Sequence, residues 1–130
     1  MAVGDKALLI QGASGTGKST LALQLMAYGA ALVSDDQTLL GATETGVTAR
    51  APDPLKGLIE ARGVGILQAN AQDTARLTHV IDMDHIETDR IPPRREVTIL
   101  SHVFPLLHKV DGIHLAPAIL QWMRAGRSER

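Results

Sequence analysis

Hydrophobic positions change their period along this chain, and each change marks an element. Ala7-Leu8-Leu9-Ile10 is an unbroken apolar run that reaches glycine just after Gln11, which predicts a short buried strand over Lys6 to Gln11 feeding a turn. From Lys18 to Ala27 strong helix formers carry Leu21, Ala22, Leu25 and Met26 at helical spacing, and Gly29 stands where a left-handed cap closes a helix. Ala31 to Ser34 predicts a second buried strand ending at Asp35-Asp36, continued or paired by residues 37–40. Glu44-Thr45-Gly46, set between Leu39-Leu40 and Val47-Thr48-Ala49, predicts a β-hairpin.

Pro52-Asp53-Pro54 then breaks the chain. Leu55 to Arg62 reads equally as a short helix or a loop, and a strand is expected from Val64, between two glycines at spacing two. Leu77 to Met83, Val97 to Leu100 and Phe104 to Val110 predict further strands, with His85 to Glu96 as a polar surface loop. Leu115 to Arg124 predicts a terminal helix that tolerates Pro117 in its first turn. The fold class that follows is α/β, with a mixed β-sheet and flanking helices, and the 130 residues are expected to form a single domain, 1–130.

Composition narrows the chemistry. Thirteen basic residues against 14 acidic ones give a formal net charge of -1, without the electrostatic excess that nucleic-acid binding needs. Tyr28, Phe104 and Trp122 are the only aromatics, too few for base stacking. Cysteine is absent, which removes disulfides, thiolate metal sites and cysteine nucleophiles and fits a cytoplasmic setting. Apolar runs of only a few residues predict no membrane span. The five histidines include no pair at the i, i+4 spacing of a helical zinc motif, so spacing alone assigns them no metal. Arg94-Arg95, Arg124, Arg127 and Arg130 read as solvated surface charge.

One motif is specific. Gly12-Ala13-Ser14-Gly15-Thr16-Gly17-Lys18-Ser19 satisfies every fixed position of G-x-x-x-x-G-K-[ST], with a strand pattern before it and a helix pattern after it. Its glycines let successive backbone N–H groups point inward, and the following helix adds the positive end of its dipole, so the segment is an anion cradle for phosphates. Lys18 is expected on the β- and γ-phosphates and the Ser19 hydroxyl on magnesium, with Thr20 next in the same helical turn. The implied ligands are a nucleoside triphosphate and Mg²⁺. Asp35-Asp36 closes the next strand pattern, so in a parallel sheet the pair emerges on the loop's edge, where one carboxylate can serve a metal and the other accept a proton. Neighbouring residues of a strand face opposite ways, so both reach one site only if the chain bends there. Glu60-Ala61-Arg62-Gly63-Val64-Gly65 gathers an acid, a base and two glycines in one turn.

The phosphate loop, then Leu32-Val33-Ser34-Asp35-Asp36, then Leu58 to Ile66, resemble in order and spacing the catalytic domain of the HPr serine kinase/phosphorylase family. The resemblance runs from about Ala2 to Arg95. It implies a P-loop kinase-like core that uses ATP and magnesium to phosphorylate a serine of HPr, or an HPr-like carrier of the phosphotransferase system, in the bacterial cytoplasm. Many relatives also reverse the reaction by phosphorolysis, and the domain is commonly a homo-oligomer, a hexamer. By motif, Asp36 would be the general base, Asp35 its neighbour near the metal, Glu60 a magnesium ligand beside Ser19, and Arg62, Gly63 and Gly65 the signature loop. Asp89-Arg90-Ile91 is similar to a family segment whose arginine serves the active site, which nominates Arg90.

Departures from the family pattern accompany the match. Family members usually carry a histidine shortly before the first strand, whereas the first histidine here is His79. The separate N-terminal domain and the longer C-terminal region of many relatives are not expected here, as in the family's short form. Two other readings therefore stand beside the serine kinase: a nucleotide-binding sensor without transferase activity, and a small-molecule kinase, for which little chain remains to build a lid.

Overall fold

The strand expected over Lys6 to Gln11 forms with those bounds, and the fold is organised by its pairing with a later, longer strand. The computed structural model describes residues 1–128, so Arg130 of the surface-charge set lies outside the described residues. In chain order the elements are β1 (Ala2–Val3), β2 (Lys6–Gln11), α1 (Lys18–Ala27), β3 (Leu39–Thr43), β4 (Gly46–Arg50), β5 (Leu58–Ala61), β6 (Gly65–Gln68), β7 (Thr74–Ile86), β8 (Arg95–Ile99), β9 (His102–Lys109) and α2 (Leu115–Ala125). β2 pairs parallel with one edge of β7. The other edge of β7 is shared: β4 takes Thr74–Arg76 antiparallel, and β9 pairs parallel from Val80 onward. The seven-stranded sheet therefore forks, with β3 outside β4 and β8 outside β9, while β5 and β6 form a separate hairpin. This is the mixed sheet with helices that the pattern of the chain predicted.

The register of β2 on β7 slips once. Ala7 stands opposite Leu77 but Leu8 opposite His79, which leaves Thr78 extra, its hydroxyl donating to the Ala7 carbonyl at 3.2 Å. An extra residue turns every later side chain to the other face of the sheet. Leu77 and Val80 accordingly share one buried cluster with Val47 and Phe104. Ile81 and Met83 enter the cluster that both helices cover, with Leu21 and Leu25 of α1 and Ile119 and Leu120 of α2. α1 ends as its glycine predicts: Gly29 at φ 100° lets its own N–H reach the Met26 carbonyl and the Ala30 N–H reach Leu25.

Three segments differ from expectation. Leu32 and Val33 are buried, but Ala31 to Ser34 makes only isolated bridges, Ala31 to Ala2 and Leu32 to Ala71, because the β1 edge it meets is only two residues long and the chain bends at Val33. Leu55 to Arg62 is neither helix nor loop: after a single 3-10 turn at Asp53–Leu55, Leu58–Ala61 pairs with Gly65–Gln68 across the glycine turn. The polar stretch His85 to Glu96 shrinks to residues 87–94, since β9 keeps β7 paired as far as Ile86 and β8 starts at Arg95. Arg95 is not solvated charge either. Its guanidinium meets both carboxylate oxygens of Glu87 at 3.2 Å, and these bonds hold the Glu87 carboxyl below the usual carboxylate range. Arg127 donates to the Pro92 carbonyl at 2.7 Å. The hairpin at Glu44-Thr45 forms as expected, with Thr43 paired to Gly46.

Candidate functional site

β2, β7 and β9 are mutually parallel, so their carboxy-terminal ends open on one edge of the sheet, where sites of α/β folds are built. β2 delivers the phosphate loop there. Three loop glycines have positive φ: Gly12 at 152°, Gly15 at 86° and Gly17 at 97°. At Gly12 there is also no room for a side chain, since a Cβ would stand 2.8 Å from Thr16 Oγ1 and 3.0 Å from Met83 Cβ. The first bond of α1 runs from the Leu21 N–H to Gly17, so the preceding first-turn N–H groups have no carbonyl partner within the helix. Among the described residues no side chain caps this end, and no acid stands in its first turn, which leaves the positive dipole end open to an anion.

The loop is fastened from behind. Asp84 Oδ1, at the end of β7, accepts the Ala13 N–H at 2.8 Å, and Lys109 Nζ, at the end of β9, donates to the Thr16 carbonyl at 3.0 Å. Thr16 Oγ1 donates to Ala13 O at 2.7 Å, and Lys18 Nζ donates to the Gly12 carbonyl. Neither Asp84 nor Lys109 was nominated from the sequence. Lys109 carried no signal, being 93 residues from its partner; the acids at 82 and 84, alternating at the end of an apolar strand, were a legible hint.

The acidic pair reaches the loop through a bend. Asp36 has φ 61° and the Gln37 N–H donates to the Asp35 carbonyl at 2.6 Å, a three-residue turn of the left-handed kind that is rare for a residue with a Cβ. The turn resolves the facing problem of adjacent residues, and Asp35 and Asp36 line one cavity of about 540 Å³ with Lys18, Ser19, Glu60 and Arg62. Asp35 joins the walls of that cavity: Ser19 Oγ donates to its Oδ1 at 3.3 Å, and the Glu60 N–H donates to its Oδ2 at 2.9 Å. Ser14, Gly15, Gly17 and Thr20 line the same space, whereas Gly12, Ala13 and Thr16 form the loop's backing. Gly63 and Gly65, at φ 82° and 133°, shape the β5–β6 turn that presents Arg62. Arg90 is not brought in; it is exposed in the loop at residues 87–94 and does not line the cavity.

Oxygen donors from a hydroxyl and two carboxylates, Ser19, Asp35 and Glu60, are the set a hard divalent cation takes, and the helix end with Lys18 suits a polyphosphate. The arrangement can hold a nucleotide triphosphate with magnesium and place a carboxylate beside it.

The family model described as HPr Serine kinase C-terminal domain matches residues 1–90. An HPr kinase/phosphorylase of Polaromonas naphthalenivorans is 34% identical over 134 residues, which cover 93% of this chain and 39% of that protein. One from Bordetella pertussis is 48% identical over 61 residues, 46% of this chain and 20% of the relative. The chain thus spans about 39% of the length of the first of these relatives. The solved structure of the Hpr(Ser) kinase/phosphatase from Coxiella burnetii superposes with a TM-score of 0.78 at 22% identity, over 94% of this chain and 83% of that one, and so shares the fold.

Proposed function

This chain belongs to the HPr serine kinase C-terminal domain family, and from that premise we propose that it is an ATP- and magnesium-dependent protein-serine kinase acting on HPr or an HPr-like phosphocarrier. The observation that carries the reading is the Asp35 bridge. One carboxylate touches the hydroxyl of the phosphate loop and the backbone of the β5–β6 hairpin, and its neighbour Asp36 is turned into the same cavity.

The residues divide the work. The loop N–H groups and Lys18 bind and orient the triphosphate, and Lys18 offsets charge on the transferred group. Ser19, Asp35 and Glu60 would hold magnesium, which when bound supplies charge neutralisation across the β- and γ-phosphates. Asp36 accepts the proton of the incoming serine hydroxyl as its oxygen bonds to the γ-phosphorus, while the bond from that phosphorus to the β–γ bridging oxygen breaks and ADP leaves. Arg62, beside the hairpin turn, lines the same cavity, where its guanidinium would bind phosphate. A protein acceptor fits the other edge of the cavity, where Ile66 lines the opening yet is 72% exposed. The setting we assign is the cytoplasm; among the described residues no helix is long and apolar enough to cross a membrane.

The test is transfer itself. Incubation with γ-labelled ATP, magnesium and HPr-type carriers should label a carrier serine, located by mass spectrometry. ATP binding without label on any carrier would overturn the kinase reading in favour of a nucleotide sensor. Light scattering tests the homo-oligomer that the family resemblance implies.

A further inference from the structure

Outside this cavity, a second group of side chains converges. Asp82 of β7 stands opposite His108 of β9 in the parallel ladder, so the two side chains leave the sheet on one face. His85, three residues beyond Asp82, places its Nδ1 2.7 Å from Asp82 Oδ2. The rings of His85 and His108 stack with centroids 5.2 Å apart and planes inclined by 27°. One ligand atom from each of the three residues lies within 4.8 Å of the other two.

An Asp–His hydrogen bond by itself accounts for two of these side chains and leaves the third unexplained. His108 brings a second imidazole against the first, which is unfavourable for two cations but suits two neutral rings sharing one electrophile. Ligand atoms around a tetrahedral ion with bonds of ~2.1 Å lie roughly 3.4 Å apart, a spacing these side chains reach by torsional adjustment. Solvent reaches the cluster, as the His85 side chain is 66% exposed and that of Asp82 23%. The Asp82 carboxylate is itself oriented, because the Asp84 N–H donates to its Oδ1 at 2.8 Å and leaves Oδ2 presented to the two rings.

We propose that Asp82, His85 and His108 form a binding site for a borderline divalent transition-metal ion such as Zn²⁺, separate from the oxygen-donor set at Ser19, Asp35 and Glu60. Two imidazoles and one carboxylate select such an ion over magnesium and leave a coordination position for water or an external ligand. The site is coupled to the phosphate loop. β7 continues from Asp82 to Asp84, which holds the Ala13 N–H, and β9 continues from His108 to Lys109, which holds the Thr16 carbonyl. Drawing Asp82 and His108 onto one ion therefore bears on both fastenings of the loop.

Cobalt(II) serves as the spectroscopic probe. Titration of the intact chain should develop visible d–d absorption that saturates at one equivalent, survives excess magnesium and is displaced by Zn²⁺. His85→Ala, at an exposed position, and His108→Gln should each weaken cobalt affinity at least about 10-fold while far-ultraviolet circular dichroism stays unchanged. Absence of saturable binding, affinity equal to the parent chain's in both variants, or displacement by magnesium would overturn the site. Zn²⁺ should also move the Ala13 amide resonance in the parent chain and not in His85→Ala; an unmoved resonance would overturn the coupling to the loop.

Discussion

The cavity has two walls of opposite construction. The phosphate-loop wall is held at its back by Asp84 and Lys109 and by its own Thr16 and Lys18, and Met83 lies so close to Gly12 that no side chain fits there. The β5–β6 wall is anchored at its base, where Ile59 is 1% exposed, but beyond that its Val64 and Ile66 are 75% and 72% exposed. Asp35 is the carboxylate that spans the two, bonded to Ser19 on one side and to Glu60 on the other. A polyphosphate needs fixed donors, and preorganised N–H groups are most effective when nothing has to move. On the proposed function, the open apolar surface of the hairpin would take the protein acceptor.

The contrast is open to attack by substitution. The largest effect is expected at the junction: Asp36→Asn should keep nucleotide binding and lower carrier phosphorylation roughly 10²- to 10⁴-fold. Unchanged turnover would remove Asp36 from its role as base. Next comes the anchor of the open wall, where Ile59→Ala should cost about 2–5 kcal/mol in denaturant unfolding, because it leaves a cavity among residues of the main core. On the closed wall, Gly12→Ala should cost about 1–3 kcal/mol and also weaken ATP binding, since the new methyl collides with Thr16 and Met83. A stable, fully binding variant would show that this wall yields more than its contacts imply.

Acidification tests the packing beneath the sheet. Burial, and secondarily the Lys6 charge, keep the His79 pKa below its ordinary value, and its ring meets Trp122 edge-on at 4.5 Å. A base whose folded pKa is depressed contributes stability above its unfolded pKa of about 6.5 and loses it as the pH falls through the folded value. Chemical denaturation from pH 7 downward should show falling stability that His79→Gln flattens. The smallest effect is expected at the tip of the open wall. Ile66→Ser should change stability by no more than about 0.5 kcal/mol, while raising the carrier KM more than that for ATP. Equal shifts in both would deny the hairpin its role in acceptor binding.

Much of this molecule was legible in its residues. The apolar run before Gly12, the glycine spacing and the helix formers after Lys18 are local signals, and local signals gave β2, the phosphate loop and α1 with their observed bounds. Gly29 closed the helix for the same reason. The hairpin at Glu44-Thr45 was equally local. Segments whose state depends on a partner were not: Ala31 to Ser34 has the composition of a strand but finds partners only for the single bridges at Ala31 and Leu32, and Leu58–Ala61 becomes one only because Gly65–Gln68 lies against it.

What the sequence determined by itself, then, is the anion cradle, since glycine conformation and a helix start are encoded within eight residues. The tertiary structure alone decided what faces that cradle. The left-handed turn at Asp36 brings two adjacent carboxylates into one cavity, and the one-residue slip at Thr78 sets the face on which Asp82 and Asp84 emerge. The slip is a long-range outcome of strand pairing, in which a shift of one residue reverses every side chain after it, and the turn stands where Asp35 bonds to the distant Ser19 and Glu60; no pattern read along the chain can announce either.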